Sequence, residues 1–121
     1  DMEIIAKSNN DHPVLMINQN RYLKGEFPNG DLYSKWRSTN KKMISEVKGK
    51  VLWSLKVEAP YLINGNLEPL DEILAYWYPS HKAFLSMINS PHRKDNFELR
   101  KKLIVFAVIH RCDGRNVPQI K

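Results

Sequence analysis

The sequence predicts an α+β fold of the ferredoxin-like class, in which a four-stranded antiparallel sheet carries its helices on one face. Three observations predict it. Four segments have the alternating or continuous apolar residues that are typical of strands. Helical segments separate them in the order strand, helix, strand, strand, helix, strand. An Asn-Gly pair lies between the two consecutive strands, which we therefore expect to be antiparallel neighbours.

The first strand and the first helix are predicted from the change in apolar period. Residues 14–23 begin with an apolar run and then alternate, which is typical of a strand. Residues 31–49 have an apolar stripe with the period of a helix. Asp31 or Asn29 can cap the start of this helix, and Gly49 suits the position after its end.

The middle of the chain predicts a hairpin followed by two helical pieces. Residues 50–62 alternate and residues 70–79 are rich in aromatic side chains, so both are expected to be strands. Ser80 has the side chain of a helix cap. A second helical piece is expected to begin after Ser90, with Pro91 in its first position.

The last strand and the two ends complete the predicted domain. Residues 102–112 are β-branched and nearly all apolar, which predicts a central, well-covered strand. The folded domain is expected over residues 13–112. Residues 1–12 are polar and unpatterned, so we expect a flexible N-terminal arm, and residues 113–121 are expected to be a polar tail.

Composition sets the class of protein without naming a function. The 121 residues suffice for one domain with a core, and Cys112 is the only cysteine, which fits a reducing compartment. No apolar run approaches the roughly 20 residues of a membrane span. The start lacks the charged-then-apolar order of a signal peptide, so a cytoplasmic protein is expected. The net charge of +6 is interpreted as a Lys-rich surface.

The predicted strands carry apolar side chains on both faces of the sheet. In the third strand, Trp77 points to one face while Tyr76 and Tyr78 point to the other. Two helices can cover only one face. We therefore expect a homodimer in which a second copy covers the remaining face.

One segment and its surroundings resemble a known family. The segment "YWYPSHKAFLSMINSP" at residues 76–91, followed by Arg100, is similar to the uncharacterised domain family numbered thirteen-thirty, within the dimeric α+β barrel superfamily. "MIN" at residues 16–18, Tyr33 and "GKVLW" at residues 49–53 match further features of that family. The resemblance covers residues 13–112 and implies a dimeric α+β barrel.

The resemblance implies small-molecule chemistry without naming a substrate. Relatives in the superfamily include cofactor-free oxygenases, polyketide cyclases, lactone isomerases and haem-binding enzymes. The leading hypothesis is an enzyme or binder for a flat aromatic or polyketide-like metabolite of a biosynthetic pathway. It would act by cofactor-free oxygenation, or by cyclisation or isomerisation. The alternative is a non-catalytic dimeric ligand-binding or accessory protein.

The catalytic candidates are Asn18, Tyr76 and His110. Asn18 follows two apolar residues on the first strand, so its amide is expected to be partly buried and to need partners. Together with Trp53 and Tyr76, it resembles the set that orients flat phenols in cofactor-free oxygenases. His110 on the last strand could be a general base, because an imidazole titrates near neutrality. Core packing of the aromatics, and a backbone partner for each polar group, remain the structural alternatives.

The expected substrate-binding residues are Trp53, Tyr78, Trp36 and Arg100. A guanidinium offers a planar fork that matches a carboxylate. Arg100 is also expected to pair with Asp95 or Glu98 as a structural residue. His12, His81 and His92 are assigned no role, and Glu72 is one of several carboxylates that could supply acid chemistry.

Other chemistries lack their motifs. One cysteine and scattered histidines give no zinc spacing, so neither a metal nor another cofactor is expected. The element order is also that of RNA-recognition sheets. The third strand, however, lacks the basic-Gly-aromatic pattern of such sheets. Nucleic-acid binding is therefore expected to be unlikely, as is membrane association.

Overall fold

A computed structural model describes residues 1–66, 69–118 and 120 of the chain. The strands are β1 (Val14–Tyr22), β2 (Lys50–Lys56), β3 (Glu72–Tyr78) and β4 (Ile104–Asp113). The helices are α1 (Met2–Ala6), α2 (Asp31–Glu46), α3 (His81–Leu85) and α4 (Arg93–Leu103), with a 3₁₀ turn at Ser86–Asn89.

The four strands form one antiparallel sheet in the order β2-β3-β1-β4. This order and the alternation of strands and helices are consistent with the predicted ferredoxin-like fold. Alternate β1 residues from Val14 to Tyr22 are buried beneath the helices, and the residues between them are only half-buried. The sheet therefore has a helix-covered face and an open face.

Two clusters of buried side chains form the core between the helices and the sheet. One lies towards the α3 end and contains Val14, Met16, Ile44, Leu74, Tyr76 and Tyr78. The other lies towards the opposite end and contains Tyr22, Tyr33, Trp36 and Leu103. Both clusters draw on β1 and α2, so the packing of α2 across β1 joins them. No helix in the described ranges has the length and apolar character needed to cross a bilayer.

The predicted pairing of the second and third strands is confirmed, but the connection between them is longer than expected. Lys56 pairs with Glu72, and the backbone of Val57 still donates to Asp71. Gly65 has a φ of 100°, as expected of a turn glycine. Beyond Val57 the predicted strand stops, because residues 59–63 contain Pro60 and have no partner strand in the described part of the chain.

The prediction that the last strand is central is wrong. Within the described ranges β4 pairs only with β1 and forms an edge of the sheet. Val105 is 57% exposed and Ile109 is 45% exposed. Its apolar composition suggested cover on both sides, which a single chain does not supply.

Glycine and serine positions shape the ends of two helices. At the end of α2, Lys48 has the left-handed φ of 62°, whereas Gly49 was expected there. Gly49 is required for a different reason, because a Cβ atom would lie 2.9 Å from both Ile44 and the Trp77 carbonyl. The Ser80 cap is confirmed, since its side chain accepts a hydrogen bond from the Ala83 backbone. Gly30 precedes α2 and makes no side-chain cap.

The two ends of the chain are more structured than expected. The predicted flexible arm contains α1, which packs on α3 and places Met2 against the core. The predicted polar tail begins inside β4 and includes Val117, which is buried. Residues 119 and 121 of that tail lie outside the described part of the chain.

Candidate functional site

A cavity of about 180 Å³ lies between the helix-covered face of the sheet and the helices. Its wall is mainly aliphatic and aromatic, with a few amides and one guanidinium. The lining residues are Met16, Asn18, Trp36, Asn40, Met43, Ile44, Tyr76, Tyr78, Phe84, Met87, Asn96, Arg100 and Ile109. Such a wall is typical of small-molecule sites, which are apolar with a few placed polar groups.

Two polar groups of the wall are incompletely satisfied. Trp36 is 3% exposed, and its indole Nε1 has no hydrogen-bond partner among the described residues. Among the described residues, the Asn18 amide donates only to the Met16 carbonyl, over 3.4 Å, which is long for a hydrogen bond. Buried polar groups are nearly always paired. Both groups therefore retain capacity to bind a guest.

Amides and tyrosines form a second polar side of the cavity. Asn96 donates to Asn40 over 2.6 Å, and Asn40 donates to the Tyr76 hydroxyl over 3.3 Å. Burial raises the pKa of Tyr76 to about 12, although the charges of Arg37 and Arg100 and the Asn40 hydrogen bond oppose the shift. Tyr76 is therefore a neutral hydroxyl at physiological pH. Burial likewise raises the pKa of Tyr78.

The structure brings five of the seven predicted site residues together and separates the other two. Asn18, Tyr76, Tyr78, Trp36 and Arg100 all line the cavity. Trp53 and His110 do not.

Strand register explains this separation. Trp53 pairs with Ala75 and His110 pairs with Ile17, and residues paired across strands share a face. Ala75 and Ile17 alternate with Tyr76 and Asn18, so Trp53 and His110 lie on the open face. A β-bulge between Val51 and Trp53 changes the alternation that the sequence suggested. The predicted grouping of Asn18, Tyr76 and Trp53 is therefore not present within one chain.

Arg100 does not form the structural ion pair that the sequence predicts for it. Its side chain makes no hydrogen bond or ion pair with any residue that the structure describes, including Asp95 and Glu98. Glu98 instead lies 4.0 Å from Lys101. The Arg100 side chain is half-buried at the wall of the cavity.

A buried carboxylate cluster lies at the end of the sheet away from α3. Glu72 is 3% exposed, and its carboxylate accepts hydrogen bonds from Tyr22 at 2.6 Å and from Tyr33 at 2.8 Å. Arg37 donates to the same carboxylate at 3.0 Å, which gives the charge a counterion. Burial first, and then the hydrogen bond to Glu72, raise the pKa of Tyr22 and of Tyr33 well above the ordinary value.

The sequence predicts Glu72 as one of several acids, and its spacing on β3 carries a further signal that it is buried. It alternates with Leu74, Tyr76 and Tyr78, which are all buried on the helix-covered face. That period of two places Glu72 on the same face.

His81 was assigned no role and proves to be buried in a second polar cluster. Its Nδ1 lies 3.1 Å from an Asp11 oxygen and 3.0 Å from the His12 carbonyl, so Nδ1 carries the proton. Its Nε2 then accepts from Arg111 at 3.2 Å. Both ring nitrogens are occupied, and the ring joins α3 to β4 and to the segment before β1.

The described residues contain no group of histidine, cysteine and carboxylate side chains that could hold a metal ion. The cavity wall also has no carboxylate and no imidazole among its described residues. What it offers is an apolar space with hydrogen-bond donors, suited to holding and orienting a guest.

Fold and site together define an α+β protein with a four-stranded antiparallel sheet and a small pocket between that sheet and its helices. Comparison with solved structures agrees with this class. The chain is similar to the RPA0582 protein of unknown function from Rhodopseudomonas palustris, with a TM-score of 0.72 and 24% identity over 86% of this chain and 85% of that one. It is also similar to methylated RPA0582, with a TM-score of 0.71 and 25% identity over 86% and 83% of the two chains.

These likenesses support the fold and assign no activity. No family model and no curated protein matches the chain. The resemblance to the domain family numbered thirteen-thirty therefore stays a prediction.

Proposed function

We propose that the protein binds a small, flat metabolite of about one ring in the cavity between sheet and helices. The observation that carries this proposal is an apolar cavity lined in part by Trp36, a buried residue whose indole N–H has no partner in the described chain. An unpaired buried donor costs roughly 1–3 kcal/mol, which a ligand oxygen would recover.

The size of the cavity limits the ligand. An apolar cavity of about 150 Å³ is known to hold benzene, whereas drug-sized ligands need about 300 Å³ or more. The present volume of about 180 Å³ lies near the lower figure. A single ring with one or two small substituents therefore fits best.

Binding is common to the catalytic and the non-catalytic form of the proposal. Asn18 and Tyr76 line the same cavity and could orient a phenol for cofactor-free oxygenation. Proton-transfer cyclisation or isomerisation needs a base near the substrate. His110 lies on the open face, so that chemistry has less support than binding with or without oxygenation.

The four methionines offer a direct test of ligand binding. Met16, Met43 and Met87 line the cavity, whereas Met2 lies on α1 outside it. In protein labelled with ¹³C at the methionine methyl groups, single-ring phenols, amides and acids should shift the three cavity signals and leave Met2 unchanged. If no compound in such a set moves the three signals, or if Met2 moves most, the proposal fails.

We propose in addition that the protein is a homodimer joined through the open faces of two sheets. The open face combines half-buried Leu15, Ile17 and Trp77 with Leu55, which is 56% exposed. These apolar side chains come from three strands, β1, β2 and β3, and contiguous apolar surface of this kind is typical of an interface. The assignment to the dimeric α+β barrels, the cytoplasmic location and a biosynthetic role belong to the same proposal.

A further inference from the structure

The cavity wall includes a positively charged group that has no role in the proposed function. Arg100 is a cation in its wall without an acidic partner in the described chain. Arg37, the other guanidinium whose charge acts on Tyr76, already pairs with Glu72. The wall therefore carries one uncompensated positive charge.

The remaining polar groups of the wall favour an acceptor. The Trp36 indole can only donate, and the Asn18 amide nitrogen has a single long hydrogen bond. A half-buried guanidinium matches the two oxygens of a carboxylate in a paired geometry. Aromatic and methionine side chains offer apolar contact for a ring.

We propose that the ligand is a single-ring aromatic carboxylate, with its carboxylate bound by Arg100 and its ring among the apolar side chains of the cavity. This inference rests on the proposed function, because it names the class of ligand for the same cavity. The Trp36 indole N–H donates to a ligand oxygen in the complex. Neutral rings of the same shape bind more weakly.

The test compares benzoate and 4-hydroxybenzoate with the corresponding neutral amides on the intact protein. Each compound is titrated while the methionine methyl signals and the three indole N–H signals are followed. The acids should bind at least roughly tenfold more tightly than the amides, as expected of a charge-assisted pair. The Trp36 indole should shift, whereas that of Trp77, which already donates to Gly114, should not.

Two variants on α4 separate a specific pair from a general charge effect. Arg100→Gln should weaken binding of the acids roughly tenfold and leave the amides unchanged. Lys94→Gln removes the same charge from an exposed position on the same helix and should change neither. Thermal unfolding of both variants checks that each is folded.

The outcomes separate this inference from the proposed function. If the amides bind as tightly as the acids, or if Arg100→Gln leaves acid binding unchanged, the carboxylate assignment is overturned and the cavity remains a binding site. If neither acids nor amides move the cavity methionines, both proposals fall.

Discussion

Glu72 shows how a charged residue becomes part of a core. Its carboxylate accepts from two tyrosine hydroxyls and from Arg37, so the charge is both hydrogen-bonded and paired. A buried carboxylate with fewer partners would be strongly unfavourable. The cluster fixes the N-terminal half of α2 against β3, because Tyr33 and Arg37 both lie on that helix.

Replacing this carboxylate should destabilise the protein measurably. In Glu72→Gln one acceptor oxygen becomes a donor that faces the tyrosine hydroxyls, and Arg37 loses its counterion. We expect a loss of about 2 kcal/mol or more in the free energy of unfolding, measured with urea. Glu98→Gln is the matched control. Its carboxylate is 53% exposed, and its ion pair with Lys101 should be worth less than about 1 kcal/mol. Equal stability of the two variants would contradict the described role of Glu72.

The sequence predicted which side chains line the cavity better than it predicted which polar side chains pair with each other. Asn18, Tyr76 and Tyr78 reach it because alternation along a strand fixes their face. The position of Trp53 depends on a β-bulge, which no local sequence pattern in β2 predicts. Arg100 is predicted to pair with a carboxylate close in sequence, but it lies in the cavity wall while Glu98 pairs with Lys101.

At the scale of elements, α3 begins with two caps. Ser80 accepts from Ala83 at 3.0 Å. Asp11 accepts from the backbone of His81 at 2.8 Å and of Lys82 at 3.2 Å. Helix starts leave backbone N–H groups without partners, and this one uses a carboxylate from a distant segment. That contact explains why the predicted loose arm is ordered against α3.

The Asp11 cap gives a pH-dependent contribution to stability. Burial opposes ionisation of Asp11, but hydrogen bonds from His81 and Lys82 outweigh burial and lower its pKa from 3.8. The folded state therefore holds the charged form more strongly. The contribution is complete above the ordinary value and is lost as pH falls through the lowered pKa.

Asp11→Ala should lower the free energy of unfolding by about 1–2 kcal/mol at neutral pH. The difference from the natural chain should shrink as pH falls below the ordinary value of 3.8. Asp31→Ala is the control, because that carboxylate starts α2 without a cap bond. Urea unfolding across pH provides the measurement, and a difference independent of pH would refute the cap.

The order of the strands and of the main helices was predictable, whereas the connection between β2 and β3 was not. The switch between a period of two and a helical period predicts all four strands and the helices from α2 onwards, but it does not predict α1 or the early end of β2. The Asn-Gly pair suggested a tight hairpin, yet the strands separate before reaching it. Local turn chemistry cannot show where cross-strand pairing ends, because that depends on the partner strand.

At the scale of the whole molecule, the main question is what covers the apolar side chains of β4. A strand of mostly apolar residues lies at an exposed edge, and its β1 neighbours on the open face are apolar Leu15 and Ile17 beside polar Gln19 and Arg21. The sequence prediction of a covered strand assumed that cover comes from within the chain. A second copy would supply the cover instead.

The proposed dimer can be tested with one substitution on each face. Ile17 lies on the open face of β1, between Ala75 and His110. Ile17→Lys should convert a dimer at micromolar concentration into a monomer, because a buried lysine would lack a partner. Phe97→Lys changes an apolar residue on α4 that is 55% exposed. This variant should remain dimeric. Sedimentation equilibrium gives the masses. A natural chain that sediments as a monomer would exclude the barrel.

The pairing of β1 with β4 also has a mechanical consequence. Val14, which opens the first strand, pairs with Asp113, which closes the last, so the two chain ends leave the sheet side by side. A force that pulls these ends apart would load the hydrogen bonds between the strands one after another instead of all at once. The domain should therefore open like a zipper under low tension, starting at the corner that His81 and Arg111 hold together.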